Sequence, residues 1–277
     1  MSKTRAINKV AVLGSSGMLG YAVSAYYSKQ GYEVILVDRK SFEASKDSVE
    51  VLRSKFTGCD YVVNCMGIIK PRIGDVPPEL CLLVNGIFPK NLAKLTQNMG
   101  IPCFHITTDC VYSGEKGNYS EDDYYDVGDM YGLSKSAGET TDCMTLRTSI
   151  IGEEINNKYS LFEWAKSQKG KRVTGYSNHV WNGVTTLYLA EILEKIYRGG
   201  LYERGIFHIY SPTKVTKYEL LVIMNEVYEL ELDIHKKDAP ESIFRDLTSK
   251  YPLSQKAVTK ELSQQISEMH DFFSIKK

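Results

Sequence analysis

Three times in this chain a lysine follows a tyrosine by four residues: Tyr112/Lys116, Tyr131/Lys135 and Tyr210/Lys214. On a helix that spacing puts a phenol and an ammonium on one face. A phenol is a proton donor of the kind a carbonyl reduction needs, and a nearby ammonium favours its phenolate, lowering its pKa. Chance alone supplies about two such pairs in a chain this rich in tyrosine, so context must choose. Tyr112 runs into the glycine-flanked SGEKG, and Tyr210 precedes Ser211 and Pro212, which stop a helix. Only Tyr131–Lys135, in YGLSK, opens a segment able to continue as one. Thr107, Thr108 and Asp109 stand where a strand is expected to end, the place where ligands bind in open α/β sheets. A hydroxyl there can hydrogen-bond a substrate carbonyl.

A second pattern lies near the N-terminus. Gly14, Gly17 and Gly20, in GSSGMLG, follow a short β-branched run and lead into helical spacing. Chemistry explains each feature. A tight turn bare of side chains lets a pyrophosphate approach the backbone and meet the positive end of the following helix. The acidic residue that such a dinucleotide site requires is Asp38, at the end of the next expected strand, where it would hydrogen-bond ribose hydroxyls.

These residues need elements to carry them. Lys9–Leu13, Tyr32–Asp38, Asp60–Asn64, Pro102–Thr107 and Thr145–Ile151 read as strands, and Met18–Lys29 as a helix. Residues 78–99 read as a further helix, with an irregular start around Gly86 and Pro89. The alternation implies α/β architecture: a Rossmann-type doubly wound parallel sheet. Beyond it, helices are expected at Ser160–Ser167, Thr185–Tyr197, Lys217–Tyr228 and Lys260–Phe273. Strands are expected at Gly205–Tyr210 and Leu232–His235. We place the division at residues 1–152, a dinucleotide-binding domain, and 153–277, a smaller C-terminal α/β substrate lobe partly built on the first sheet.

Composition narrows the function classes. The 277 residues carry 34 basic and 34 acidic side chains, a formal net charge of zero. A nucleic-acid binder relies on a cationic surplus, so none is expected. No apolar run approaches the ~20 residues of a membrane helix, and the N-terminus lacks the apolar core of a signal peptide, so the expected location is cytoplasmic. Six cysteines form no CxxC and five histidines no zinc spacing, so neither a disulfide framework nor a metal is expected. The serine-nucleophile motif GxSxG is missing too.

Taken together, VLGSSGMLG at 12–20, VVNCMGI at 62–68, ITTDCVYSG at 106–114, YGLSK at 131–135 and LRTSIIG at 146–152 resemble the extended short-chain dehydrogenase/reductase superfamily. More narrowly the chain resembles the dTDP-4-dehydrorhamnose reductases, weakly so through GVTTLYLAEIL at 183–193 to about Phe273. The resemblance implies a nucleotide-linked 4-keto-6-deoxyhexose as substrate, NADPH or alternatively NADH as cofactor, and a homodimer among the expected assemblies. It assigns catalysis to Thr108, Tyr131 and Lys135, with Lys135 also holding the nicotinamide ribose. Gly14, Ser16, Gly17, Met18 and Leu19 would contact the pyrophosphate, Asp38 and Arg39 the adenosine ribose and its phosphate, and Cys65, Met66 and Gly67 the far side of the cofactor. Asp109, Cys110, Ile150 and Trp181 would line the sugar pocket. Two positions depart from the family: Ile150 replaces a Trp and Cys110 an aromatic residue. Their smaller size keeps open a UDP-2-acetamido-2,6-dideoxyhexulose as substrate. A regulatory subunit like the β subunit of methionine adenosyltransferase is the alternative from another class.

Overall fold

The computed structural model describes residues 5–155 and 158–274. Its first part runs β1 (Lys9–Leu13), α1 (Met18–Lys29), β2 (Glu33–Val37), α2 (Arg53–Phe56), β3 (Tyr61–Asn64), α3 (Pro78–Cys81), α4 (Phe88–Asn98), β4 (Cys103–Thr108), α5 (Met130–Gly138) and β5 (Met144–Thr148). The second runs β6 (Ile150–Ile151), α6 (Leu161–Ser167), β7 (Arg172–Tyr176), β8 (His179–Trp181), β9 (Val184–Thr185), α7 (Thr186–Arg198), β10 (Gly205–His208), β11 (Val215–Thr216), α8 (Lys217–Tyr228), β12 (Asp233–Lys237), β13 (Ile243–Phe244), α9 (Leu253–Ala257) and α10 (Leu262–Ser274).

The main sheet has the order β10-β5-β4-β3-β1-β2, parallel throughout. Its central strands are buried on both faces, which is why VAVL, YVVN and CFHITT are unbroken in burial rather than alternating. Val10, Val12, Phe104, Ile106 and Leu146 pack toward α1 and α7, whereas Ala11, Leu13, Val62 and Cys103 pack toward α4. From β1 the chain winds first to β2 on one side, then through β3, β4 and β5 on the other. The crevice between the carboxyl ends of β1 and β3 is therefore the switch point at which doubly wound sheets bind ligands. Residues beyond 152 supply β10 to this sheet, and three small sheets, β11-β8-β13, β12-β7 and β6-β9, are separate from it. Among the described residues no helix is long and apolar enough to cross a membrane.

Two expected elements break. The helix over 78–99 becomes α3, a π-helical stretch at Leu82–Ile87 and then α4. Pro89 cannot donate a backbone hydrogen bond, and the wider π turn accommodates this while turning Asn85 inward. The strand expected over Thr145–Ile151 leaves the main sheet after Thr148, and Ile150–Ile151 pairs instead with β9.

Candidate active site

At the β1/β3 crevice the surface is made of main chain. Gly14 has φ +73°, donates its N–H to Val37 at 2.8 Å and accepts from the Gly17 N–H at 2.9 Å. A Cβ on Gly14 would stand 3.0 Å from the Cys65 and Met66 backbone, and one on Gly20 only 2.1 Å from the Gly14 carbonyl oxygen. Bare backbone at both positions keeps the loop tight. Gly17 caps α1 with no side-chain hydrogen bond, so the first-turn N–H groups and the positive helix end face outward above the crevice. Ser16 is exposed and Met18 half-buried. The Leu19 side chain is buried in the core, leaving its backbone at the loop.

Asp38 follows β2 and accepts a hydrogen bond from the Ser41 N–H at 3.0 Å. Hydrogen bonds from Ser41 hold its carboxyl below the usual range. Arg39 points into solvent, 3.4 Å from Glu43. Across the crevice the turn after β3 carries Cys65 and Met66, both half-buried, and Gly67. The Met66 N–H donates to Asn64 Oδ1 at 3.1 Å, and a Cβ on Gly67 would come 3.1 Å from Asn85 Oδ1 and 3.5 Å from Lys135 Nζ. Asn85, a residue that sequence reasoning passed over, ties this turn to α5. Its Oδ1 accepts from the Ile68 N–H at 2.8 Å, and its Nδ2 donates to Ile68 O at 3.1 Å and Ser134 Oγ at 3.0 Å.

Tyr131 and Lys135 lie one turn apart on α5, so the expected shared face exists. Asp129 starts the helix by accepting from the Gly132 N–H at 2.8 Å. Glycines let it dock closely: a Cβ on Gly132 would reach within 2.4 Å of Cys110 O, and one on Gly138 within 1.9 Å of Asn85 O. Lys135 is buried and donates to the Ile106 carbonyl at 3.2 Å. Burial brings its ammonium down to about 8. The expected depression of the tyrosine pKa is not what the packing produces. Burial pushes the Tyr131 phenol up, and a hydrogen bond with Thr108 offsets this only in part. In this environment the phenol stays protonated at neutral pH, which suits a donor.

Thr108 ends β4 beside it, accepting from the Cys110 N–H at 3.1 Å and donating to Asp109 Oδ1 at 3.2 Å. Asp109 is 3% exposed. Burial pushes its carboxyl up, while the Arg245 and Lys217 charges pull it down. Cys110 is half-buried, its thiol pushed up by burial to about 12, with Arg245 Nη1 at 4.0 Å from its sulfur. The two other tyrosine–lysine pairs lie elsewhere. Tyr112 is buried and bonded to Arg147, while Lys116 pairs with Asp123 and Lys214 with Asp246.

The second lobe brings two cations that sequence reasoning missed. Lys217, the first residue of α8, sits with its ammonium 5.5 Å from the centre of the Trp181 ring. Arg245 donates to Tyr112 O at 3.1 Å and Ser113 O at 3.0 Å. Trp181 itself is 5% exposed and belongs to the core around α8, so it offers Lys217 a ring face rather than the sugar an open wall. Ile150 is half-buried and packs against the core cluster that contains Val184 and Tyr188. No local pattern flags Lys217 or Arg245; only the helix start at Thr216, with Glu219 three residues on, is readable.

The profile of one family, the RmlD substrate binding domain, matches residues 8–268. SpsK from Bacillus subtilis (strain 168), a spore coat polysaccharide biosynthesis protein, is 28% identical over 239 residues, 82% of each chain. Methionine adenosyltransferase 2 subunit beta from Xenopus laevis is 24% identical over 80% of this chain and 72% of its own. Among solved structures, the dTDP-4-dehydrorhamnose reductase of Bacillus anthracis in complex with NADP superposes with a TM-score of 0.78, covering 98% of this chain and 100% of that one at 17% identity.

Proposed function

Because the chain belongs to the RmlD substrate-binding family, we propose that it is an NAD(P)H-dependent reductase of a nucleotide-linked 4-keto-6-deoxyhexose, serving the synthesis of a glycan sugar. One observation carries this reading: a glycine-rich loop at the β1/β3 crevice, with no room for a Cβ at Gly14 or Gly20, accompanies a Tyr–Lys helix and a threonine at the end of β4. NADPH fits the loop, with NADH as the alternative. The backbone of Gly14, Ser16, Gly17, Met18 and Leu19 would receive the pyrophosphate, Asp38 the ribose hydroxyls and Arg39 a 2′-phosphate. Cys65, Met66 and Gly67 would form the opposite wall.

The reduced nicotinamide, when bound, supplies the hydride. What the chain does is hold the ketone and deliver the proton. Thr108 orients the keto oxygen and Tyr131, kept protonated by burial, donates its phenolic proton to that oxygen as charge develops. Lys135, fixed by the Ile106 carbonyl, binds the nicotinamide ribose and keeps positive charge near the phenolate that results. Asp109, Cys110 and Ile150 would border the sugar, and the small Cys110 and Ile150 leave a UDP-linked acetamido sugar as the substrate alternative.

A second reading, a nucleotide-binding regulatory subunit, is favoured by the likeness to the methionine adenosyltransferase β subunit. Incubation with NADPH and a panel of dTDP- and UDP-4-keto-6-deoxyhexoses separates the two. Loss of reduced-nicotinamide absorbance with one sugar is the expected result. No turnover with any sugar, together with stable association with a second enzyme, would replace the reductase by the regulator.

A further inference from the structure

A buried polar cluster joins the end of α5 to β5, and the reaction proposed above does not use it. At its centre Arg147 is 2% exposed and stands in register with Thr107 on the neighbouring strand β4. All five of its N–H donors are engaged. Nε lies 3.0 and 2.9 Å from the two Glu139 carboxylate oxygens, and Nη2 donates to Glu139 Oε2 at 2.7 Å and to the Tyr125 hydroxyl at 2.7 Å. Nη1 donates to the Tyr112 hydroxyl at 2.6 Å and to His208 Nε2 at 3.3 Å. His208 can accept there because its Nδ1, 2.7 Å from the Thr248 carbonyl, carries the ring proton.

Glu139 closes α5 four residues after Lys135, the spacing at which an ammonium and a carboxylate pair on a helix. They do not pair here. Arg147 takes the carboxylate, whose side chain is 1% exposed, and Lys135 donates instead to the Ile106 carbonyl on β4. Glu139 still favours the charged form of Lys135. Cys65 after β3 and His105 on β4 also interact with that ammonium, but burial pushes the thiol up and the imidazole down, so neither is charged at neutral pH. Tyr131 on α5 itself stays protonated, and the π turn brings only the neutral amide of Asn85.

We propose that Arg147 is a positioning residue: by holding the Glu139 carboxylate it keeps the Lys135 ammonium available to the cofactor. A carboxylate this deep needs a cation, because an unpaired buried charge is costly. Without the guanidinium, the ammonium within reach along α5 is that of Lys135, one helical turn away. Capture by Glu139 would draw it off the Ile106 carbonyl and away from the nicotinamide ribose. The grip also explains why an arginine stands here, since its planar fork satisfies both carboxylate oxygens and a lysine offers only a point charge. The inference rests on the cofactor role given to Lys135 above, and its first test needs neither sugar nor turnover.

NMR of lysine-labelled protein would follow the ionisation of Lys135, its signal identified by its loss in Lys135→Met. Calorimetry would measure NADPH affinity, and circular dichroism would check the fold of each variant. In Arg147→Met the Lys135 midpoint should rise by about one pH unit, and NADPH should bind about tenfold more weakly. Glu139→Gln should move the midpoint the opposite way, and the double variant Arg147→Met/Glu139→Gln should bring midpoint and affinity back close to wild type. A purely structural pair would weaken the fold in both single variants without opposite shifts at Lys135. Should Arg147→Met fail to fold, Arg147→Lys decides, with a smaller rise expected. Shifts of the same sign, an unmoved midpoint or a double variant that keeps the defect overturns the proposal. Turnover with the keto-sugar panel keeps the two claims apart. Opposite shifts in a protein that reduces no sugar remove the reductase reading and leave Arg147 its role, and turnover with an unmoved Lys135 does the reverse.

Discussion

At the glycine loop the working surface is backbone, and every group that matters lies within a few residues of another. At the Asp109 side it is side chains, with Lys217 and Arg245 each more than a hundred residues further along the chain than Asp109. The first arrangement is rigid because a Cβ has no room: 2.1 Å from the Gly14 carbonyl oxygen at Gly20, 3.0 Å from Cys65 at Gly14. The second is held by hydrogen bonds from Arg245 to the Tyr112 and Ser113 carbonyls. A ligand common to many proteins suits the first kind of surface, and a ligand that must be told from its relatives suits the second, since unpaired buried polar groups reject a misfit strongly.

The sharpest way to break that contrast is Tyr131→Phe. It should lower kcat by about 10²–10⁴ while cofactor affinity stays near wild type, because the phenyl ring still fills the space. Steady-state kinetics beside cofactor titration would check it, and near-normal turnover would return the regulatory reading to the front. Gly20→Ala tests the backbone side. The added methyl must push α1 from the loop, costing about 1–3 kcal/mol of stability and weakening cofactor binding without changing sugar discrimination; melting curves and cofactor titration would show both.

Tyr112→Phe looks harmless from the sequence, where this tyrosine is one of the discarded Tyr–Lys pairs, but its hydroxyl is buried between Arg147 at 2.6 Å and Ser120 O at 2.9 Å. The expected result is a loss of about 1–3 kcal/mol in denaturant unfolding with catalysis in the surviving fold nearly intact. Lys135 makes a pH prediction. Folding lowers its pKa from the ordinary 10.5 to about 8, so between these values the unfolded chain binds the extra proton and stability rises with pH. Lys135→Met should abolish that rise, lower turnover and weaken cofactor binding, yet not destabilise the protein at pH 7, where it removes a desolvated ammonium. A pH series of unfolding curves reads the slope. Smallest of all, Arg39→Ala should raise the KM for NADPH about fivefold and leave NADH unaffected, since its exposed contact with Glu43 is weak and easily exchanged for a phosphate. An unchanged KM for NADPH would remove Arg39 from the cofactor site.

How far the chain could be read follows the same line. The β1–loop–α1 unit, the strand before Asp38 and the Tyr131 helix were legible because hydrophobic period, glycine spacing and capping are all local. The short strands β8, β9, β11 and β13 were not, since two or three residues carry too little periodicity to announce a sheet. Asn85 escaped because a π turn has no sequence signature of its own, and the Tyr131 pKa was misjudged because the spacing to Lys135 says nothing of how deeply the phenol is buried.

The sequence by itself determined the parallel sheet, the bare turn over its switch point and the shared face of Tyr131 and Lys135, because each depends on neighbours in the chain. Tertiary structure alone decided that Lys135 turns to the Ile106 carbonyl, that Leu19 and Trp181 face the core, and that Arg245 reaches the Tyr112 and Ser113 carbonyls just after β4. Burial and charge are set by what arrives from elsewhere in the fold, and no spacing along the chain encodes which distant side chain will be there.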